Sequence, residues 1–379
     1  MKKIIRNSII AIILCIGLPS GFALPEEEKD LNAEVGQMIM AGFRGTDLSE
    51  SPAIVRAIQD IGLGGVILFD IDVPSGRTFP RNIINADQTK KLTADLRKVS
   101  RIPLFISVDA EGGRVNRLKP KYGFKDIPGA GEVGGKNDEA YTREVADALA
   151  SEVAGLGFNM NFAPVVDVNI RPDNPVIGGI GRAFSSDPVI VANNAAIYIE
   201  SARNKNVISV LKHFPGHGSS SQDSHLGLVD VTESYKKEEL VPYEILIGKG
   251  DVDCIMTAHI MDRSIDADYP ATLSPKFLRD ILRQKLHYEG VVISDDMHMG
   301  AIVDHYGLAE AVVLAVNAGC DIILASNNGK EYDELLPYKI RDAIVRGVKD
   351  GRIPRERIRE ASGRIAKLKN KYMGSPAQR

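Results

Sequence analysis

A chain of 379 residues that is 44% hydrophobic and 26% charged has the apolar content for a large packed core and lies far from the composition of a disordered polypeptide. Its formal charge of −3, with no basic stretch interleaved with aromatic residues, excludes nucleic acid as an expected partner. No segment reads as an interdomain linker, so one domain is expected over residues 24–379, within the size that α/β barrels reach.

The chain opens with Lys2, Lys3 and Arg6 ahead of an apolar run from Ile9 to Leu18. Gly21-Phe22-Ala23 then supplies small residues at the two positions a signal peptidase reads, so residues 1–23 are expected to be a cleaved secretory signal. The run is short for a bilayer span, and Leu14 before Cys15 disfavours lipidation; no stable membrane insertion is expected after cleavage. Loss of the segment takes the formal charge to −6 and implies a periplasmic or secreted protein. Cys254 and Cys320 remain, each in an apolar segment, and read as buried thiols rather than a disulfide framework.

Short apolar runs rich in β-branched residues then recur at 38–43, 65–69, 104–109, 159–163, 208–212, 254–258, 291–294 and 321–325. Helical patterns fall between them at 86–99, 138–155, 188–205, 274–286 and 308–318, with a further helical region over 332–371. Eight fully apolar strands alternating with helices predict a single (β/α)₈ TIM-type barrel, α/β in class. Such a barrel carries its chemistry at the carboxyl ends of the strands. Asp109 closes the third run, Lys212-His213 the fifth, His259 follows the sixth and Asp295 the seventh.

The richest stretch is Lys212-His-Phe-Pro-Gly-His-Gly218, followed ten residues after His213 by Asp223-Ser-His225. Glycines let the backbone bend sharply, and a carboxylate two residues from an imidazole can orient it as a proton shuttle near neutral pH. Since His225 as a proton shuttle needs to reach the site only when a ligand is bound, the loop over residues 216–225 is expected to close on it. Metal binding by His213, His217 and His225 is the rival reading, weakened because no second strand end supplies further ligands. Val291-Val-Ile-Ser-Asp-Asp-Met297 places two acids at one strand mouth, and adjacent side chains on extended backbone point to opposite sides. One of Asp295 and Asp296 therefore faces the site, and spacing alone does not say which.

Taken together, Asp109-Ala-Glu-Gly-Gly-Arg-Val-Asn-Arg117, Phe162-Ala-Pro-Val-Val-Asp-Val168, Gly181-Arg-Ala-Phe184, Lys212 to Gly218 with Asp223-Ser-His225, and Val292-Ile-Ser-Asp-Asp-Met297 resemble the β-N-acetylglucosaminidases of glycoside hydrolase family 3. The likeness runs along nearly all of the chain after the signal. It implies an exo-acting retaining hydrolase of terminal β-linked N-acetylglucosamine from cell-wall or chitin-derived glycans, needing no metal or organic cofactor. On this resemblance Asp295 is the nucleophile, His225 the acid/base, and Asp223 the residue that orients His225. Asp109, Arg117, Arg182, Lys212 and His213 match the family's sugar contacts, and Asp167 holds the site together. His298 has no role in this reading.

Three alternatives stand beside it. A β-glucosidase or xylosidase of the same family would share the barrel and Asp295, but such enzymes usually carry the acid on a second domain, whereas here the Asp-Ser-His triplet is internal. A metal-dependent barrel hydrolase would lose activity to chelators. Phosphate-dependent cleavage is the third, since a neutral histidine acid tolerates an anionic acceptor better than a carboxylate does.

Overall fold

The structure, a computed structural model, describes residues 26–222 and 227–374. The expected signal over residues 1–23 and the pair Asp223 and His225 lie outside the described residues.

Eight parallel strands form one sheet: β1 Ile39–Gly42, β2 Gly65–Leu68, β3 Phe105–Val108, β4 Met160–Asn161, β5 Ile208–Phe214, β6 Cys254–Thr257, β7 Val291–Ile293 and β8 Ile323–Ala325. Each pairs with the next in sequence, and β8 pairs with β1 through Ile39 and Ile323. A parallel bridge between Ile293 and Ile322, with the Ser294 amide donating to Ile322 at 2.9 Å, joins β7 to β8 and closes the ring. Every residue of these strands is buried, which is why they read as unbroken apolar runs rather than alternating ones. All eight expected strands are present, each within two residues of the expected ends; β5 alone runs past its expected end, to Phe214.

Helices fill the connections. Ala86–Val99 begins at Asn85, whose side chain accepts from the Gln88 amide; Glu139–Gly155 begins at Asp138 and Pro188–Arg203 at Asp187, each capped in the same way. Leu308–Ala318 also stands where expected, while the 274–286 pattern forms a π-helix, Lys276–Lys285. The region over 332–371 divides into Leu336–Lys349 and Arg355–Met373, because Gly351 takes a φ of +70° and Pro354 starts the second helix. Five further helices, Glu26–Gln37, Pro52–Asp60, Ala130–Lys136, Val241–Gly248 and Gly300–Tyr306, were not expected from the pattern. A two-stranded ribbon, Val229–Asp230 with Ile260–Met261, joins the segments that follow β5 and β6.

The barrel floor is fixed by Asp321, fully buried, whose carboxylate meets Arg283 at 2.8 Å, Arg364 at 3.1 Å and Arg357, and also accepts the Val292 amide. Three guanidinium groups on one carboxylate tie the π-helix and the last helix to β7 and β8. Cys254 and Cys320, the cysteines among the described residues, are buried free thiols, as their apolar surroundings predict.

Candidate active site

The carboxyl ends of β2 to β5 carry a continuous ribbon of alternating charge. Lys119 reaches Asp70, after β2, at 2.5 Å. Arg117 stands 4.0 Å from Asp70 and 3.6 Å from Asp109, the residue that follows β3. Lys212, on β5 and nearly fully buried, lies 2.7 Å from both Asp109 and Glu111. Arg182 grips Glu111 with two hydrogen bonds of 2.7 and 2.8 Å and faces His213 Nε2 at 3.4 Å. His213 Nδ1 in turn lies 2.7 Å from Asp167, which follows β4. Asp70, Asp109 and Glu111 therefore alternate with Lys119, Arg117, Lys212 and Arg182, and the ribbon ends on the His213–Asp167 pair.

The five residues expected to contact sugar, Asp109, Arg117, Arg182, Lys212 and His213, all belong to this ribbon. Glu111 completes it and was missed as a site residue; its place inside the Asp109–Arg117 motif was the available signal. Asn161 on β4 holds the motif by pairing with both the N–H and C=O of Ala110, at 3.0 and 2.8 Å.

Electrostatics follow from the geometry. Burial opposes the charge of Asp109, yet Lys212 and Arg117 hold its carboxyl down at about 2. Asp167 is kept at about 2 in the same way, burial being outweighed by His213 and His217. Because the Asp167 carboxylate is an acceptor, His213 Nδ1 carries a hydrogen towards it. Burial, then the nearby His213, pulls His217 down to about 4, so its ring is neutral at physiological pH.

Two buried carboxylates shape the turn after β5. Asp167 accepts the amides of His213 and His217 at 3.1 and 2.8 Å, and Glu239 accepts those of Gly218 and Ser219 at 2.6 and 3.0 Å, together with the Ser219 hydroxyl. Gly216 takes a φ of +127°, and a Cβ there would sit 2.5 Å from the Glu239 side chain; at Gly218 it would meet the Val168 carbonyl at 1.7 Å. Only glycine fits either position. The loop expected to move from Gly216 onward is thus pinned and buried through Ser220. Glu239 lies 21 residues from Gly218 in the chain and carries no local signal of its role.

Glu239 has a consequence for stability. Burial pushes its carboxyl from 4.5 up to about 8, against the hydrogen bond of Ser219. An acid raised in the folded state favours folding fully below its unfolded value of 4.5, and this contribution is lost as pH rises through about 8. Glu239→Gln is expected to remove that component, so the difference in Tm between variant and parent should grow in the variant's favour from pH 5 to pH 9. Parallel Tm profiles over this range would show that Glu239 does not titrate there.

Across the barrel mouth stand the two acids after β7. Asp296 spends its carboxylate on the β8 loop, accepting the Ser326 amide at 2.9 Å, the Ser326 hydroxyl and the His298 amide at 3.0 Å. Asp295 is half-buried, its amide donates to Thr257 Oγ1 at 3.1 Å and its charge favours the protonated form of His217. His298 packs beside Gly329 of the β8 loop. His259, after β6, is fully buried and joins Thr272 to the Asp296 carbonyl. Among the described residues no group of three His, Cys, Asp or Glu side chains is placed to hold a metal ion.

A charged cradle on one wall and the half-buried Asp295, whose carboxylate accepts the Asp296 amide at 2.8 Å, on the other suit a polyhydroxylated ligand attacked from the β7 side. The glycosyl hydrolase family 3 N terminal domain matches residues 30–368. Beta-hexosaminidase A of Pseudoalteromonas piscicida is 33% identical over 350 residues, covering 86% of this chain and 56% of that protein. Beta-hexosaminidase of Hydrogenovibrio crunogenus is 34% identical over 314 residues, covering 80% and 83% of the two chains. The structure of a glycoside hydrolase family 3 beta-N-acetylglucosaminidase from Paenibacillus sp. str. FPU-7 superposes with a TM-score of 0.81 at 35% identity, covering 92% of this chain and 63% of that one. The chain therefore spans less than two thirds of the first and third of these relatives and most of the second. By this match along nearly its whole described length, the chain belongs to glycosyl hydrolase family 3.

Proposed function

We propose that the chain is an exo-acting, retaining β-N-acetylhexosaminidase that hydrolyses terminal non-reducing β-linked N-acetylglucosamine from cell-wall or chitin-derived glycans. The observation that carries this reading is the ribbon from Asp109 through Lys212, Glu111 and Arg182 to His213, set opposite Asp295 in a barrel whose relatives are named beta-hexosaminidase. The ribbon's carboxylates accept from sugar hydroxyls and its cations donate to them, which fixes the ring in one orientation.

Asp295 attacks the anomeric carbon, and the bond to the leaving oxygen breaks as His225, oriented by Asp223, gives that oxygen a proton. Water, deprotonated by the same imidazole, then releases the sugar with the anomeric configuration it started with. Asp296, its carboxylate committed to Ser326, supports the nucleophile's loop. The leader over residues 1–23 supports delivery to the periplasm or beyond.

The test is product analysis with chitobiose, muropeptide fragments and an aryl β-glucoside, with and without phosphate. N-acetylglucosamine released first as the β-anomer, at a rate indifferent to phosphate, is the expected result. Preference for the glucoside, or N-acetylglucosamine 1-phosphate as product, would overturn it.

A further inference from the structure

The backbone of Asp295 and Asp296 is gripped from below by three buried side chains that the reaction as described leaves unused. The Asp295 amide donates to Thr257 Oγ1 at 3.1 Å. Thr257 Oγ1 lies 2.7 Å from Thr272 Oγ1, Thr272 Oγ1 lies 2.9 Å from His259 Nδ1, and His259 Nε2 lies 3.0 Å from the Asp296 carbonyl. Thr257, His259 and Thr272 are all fully buried.

The chemistry of these groups gives the chain a direction. A carbonyl only accepts, so His259 carries its proton on Nε2 and donates to Asp296; in the neutral ring Nδ1 is then an acceptor. Thr257 receives the Asp295 amide hydrogen and passes its own hydroxyl hydrogen to Thr272. The Thr272 hydroxyl has one hydrogen and two acceptors, the Ala258 carbonyl and His259 Nδ1, both at 2.9 Å, and shares it between them. Hydrogen bonds in such a one-way chain in a low-dielectric interior polarise one another in the same sense.

We propose that Thr272 is the positioning residue for the nucleophile: through Thr257 and His259 it holds both ends of the Asp295-Asp296 pair and so sets where the Asp295 carboxylate stands. This rests on the reading of Asp295 as nucleophile. Thr272 sits in a short 3₁₀ turn, Ala271–Leu273, 15 residues beyond Thr257. That turn is itself held, by the Leu273 amide on Pro270 at 2.8 Å and by Cys320 Sγ against the Thr272 carbonyl at 3.7 Å. A nucleophile held this way keeps its place, which an attack on one carbon atom requires.

Thr272→Val keeps the shape of the side chain and removes the link, whereas Thr272→Ser keeps the hydroxyl. With an aryl N-acetylglucosaminide and the full chain, Thr272→Val is expected to lower kcat by about 10- to 100-fold with KM within about threefold of the parent. Thr272→Ser is expected to recover most of the rate. Thr257→Val breaks the same chain one link earlier, carries the same expectation if Thr272→Val does not fold, and should add little when combined with it. Unchanged kcat in Thr272→Val, equal losses in the serine variant, or additive losses in the double variant would overturn the proposal. An inert parent protein would overturn the functional reading together with it, while an active parent with a fully active Thr272→Val refutes the positioning chain alone.

Discussion

Asp295→Ala is expected to lower kcat toward an aryl N-acetylglucosaminide by roughly 10³- to 10⁵-fold while leaving the thermal transition near that of the parent. The size of the loss follows from the role: without the carboxylate no glycosyl-enzyme forms, and only the binding wall is left to assist attack by water. The side chain is half-buried at the barrel mouth, so its removal opens no cavity in the core. Asp296→Ala should behave differently, because that carboxylate is held by Ser326 and the His298 amide; its loss frees the β8 loop and should cost both stability and a smaller part of the rate. Steady-state kinetics and thermal melts on the two variants separate attack from support. Equal kinetic losses in both would assign no special place to Asp295.

Lys212→Met is the second change with a large expected effect, this time on the fold as well. Lys212 lies 2.7 Å from Asp109 and from Glu111, and removing it leaves the partly buried Asp109 and the buried Glu111 together with only the flanking arginines to balance them. Breaking a buried ion pair by removing one partner costs about 3–5 kcal/mol. The pH dependence has a defined sign. Asp109, held at about 2 and so below its ordinary 3.8, adds stability above that ordinary value and loses it as pH falls towards 2. With Lys212 gone the folded-state value rises, that contribution shrinks, and acid unfolding should begin at a higher pH. Urea unfolding at pH 7 and an acid titration followed by circular dichroism read both effects; a variant with parental stability and an unchanged acid midpoint would mean that Lys212 is not the ribbon's central cation.

The sequence made the barrel legible because strands buried on both faces have no polar alternation to blur them, as in Gly65–Leu68 and Phe105–Val108. Helices with an aspartate or asparagine cap and a long periodic face, such as Ala86–Val99, were legible for the same kind of local reason. Ala130–Lys136 was not, since three of its seven residues are glycine; Gly134 is needed because a Cβ there would lie 1.9 Å from the Phe184 carbonyl, a contact fixed by tertiary packing. Within the site, residues at strand ends and inside dense motifs stood out. The tie of Asp296 to Ser326, 30 residues further on, was open to no spacing rule. Glu239 and Thr272 lie in stretches without unusual composition and act only through partners 13 to 21 residues away.

Mass mapping after trapping with a fluorinated N-acetylglucosaminyl donor addresses the nucleophile directly. A slowly hydrolysed donor with a good leaving group should accumulate the sugar on one carboxylate, and peptide fragmentation should place it on Asp295. Sugar found on any other residue, or a parent enzyme that turns over the donor with inverted configuration and no covalent intermediate, would contradict the mechanism.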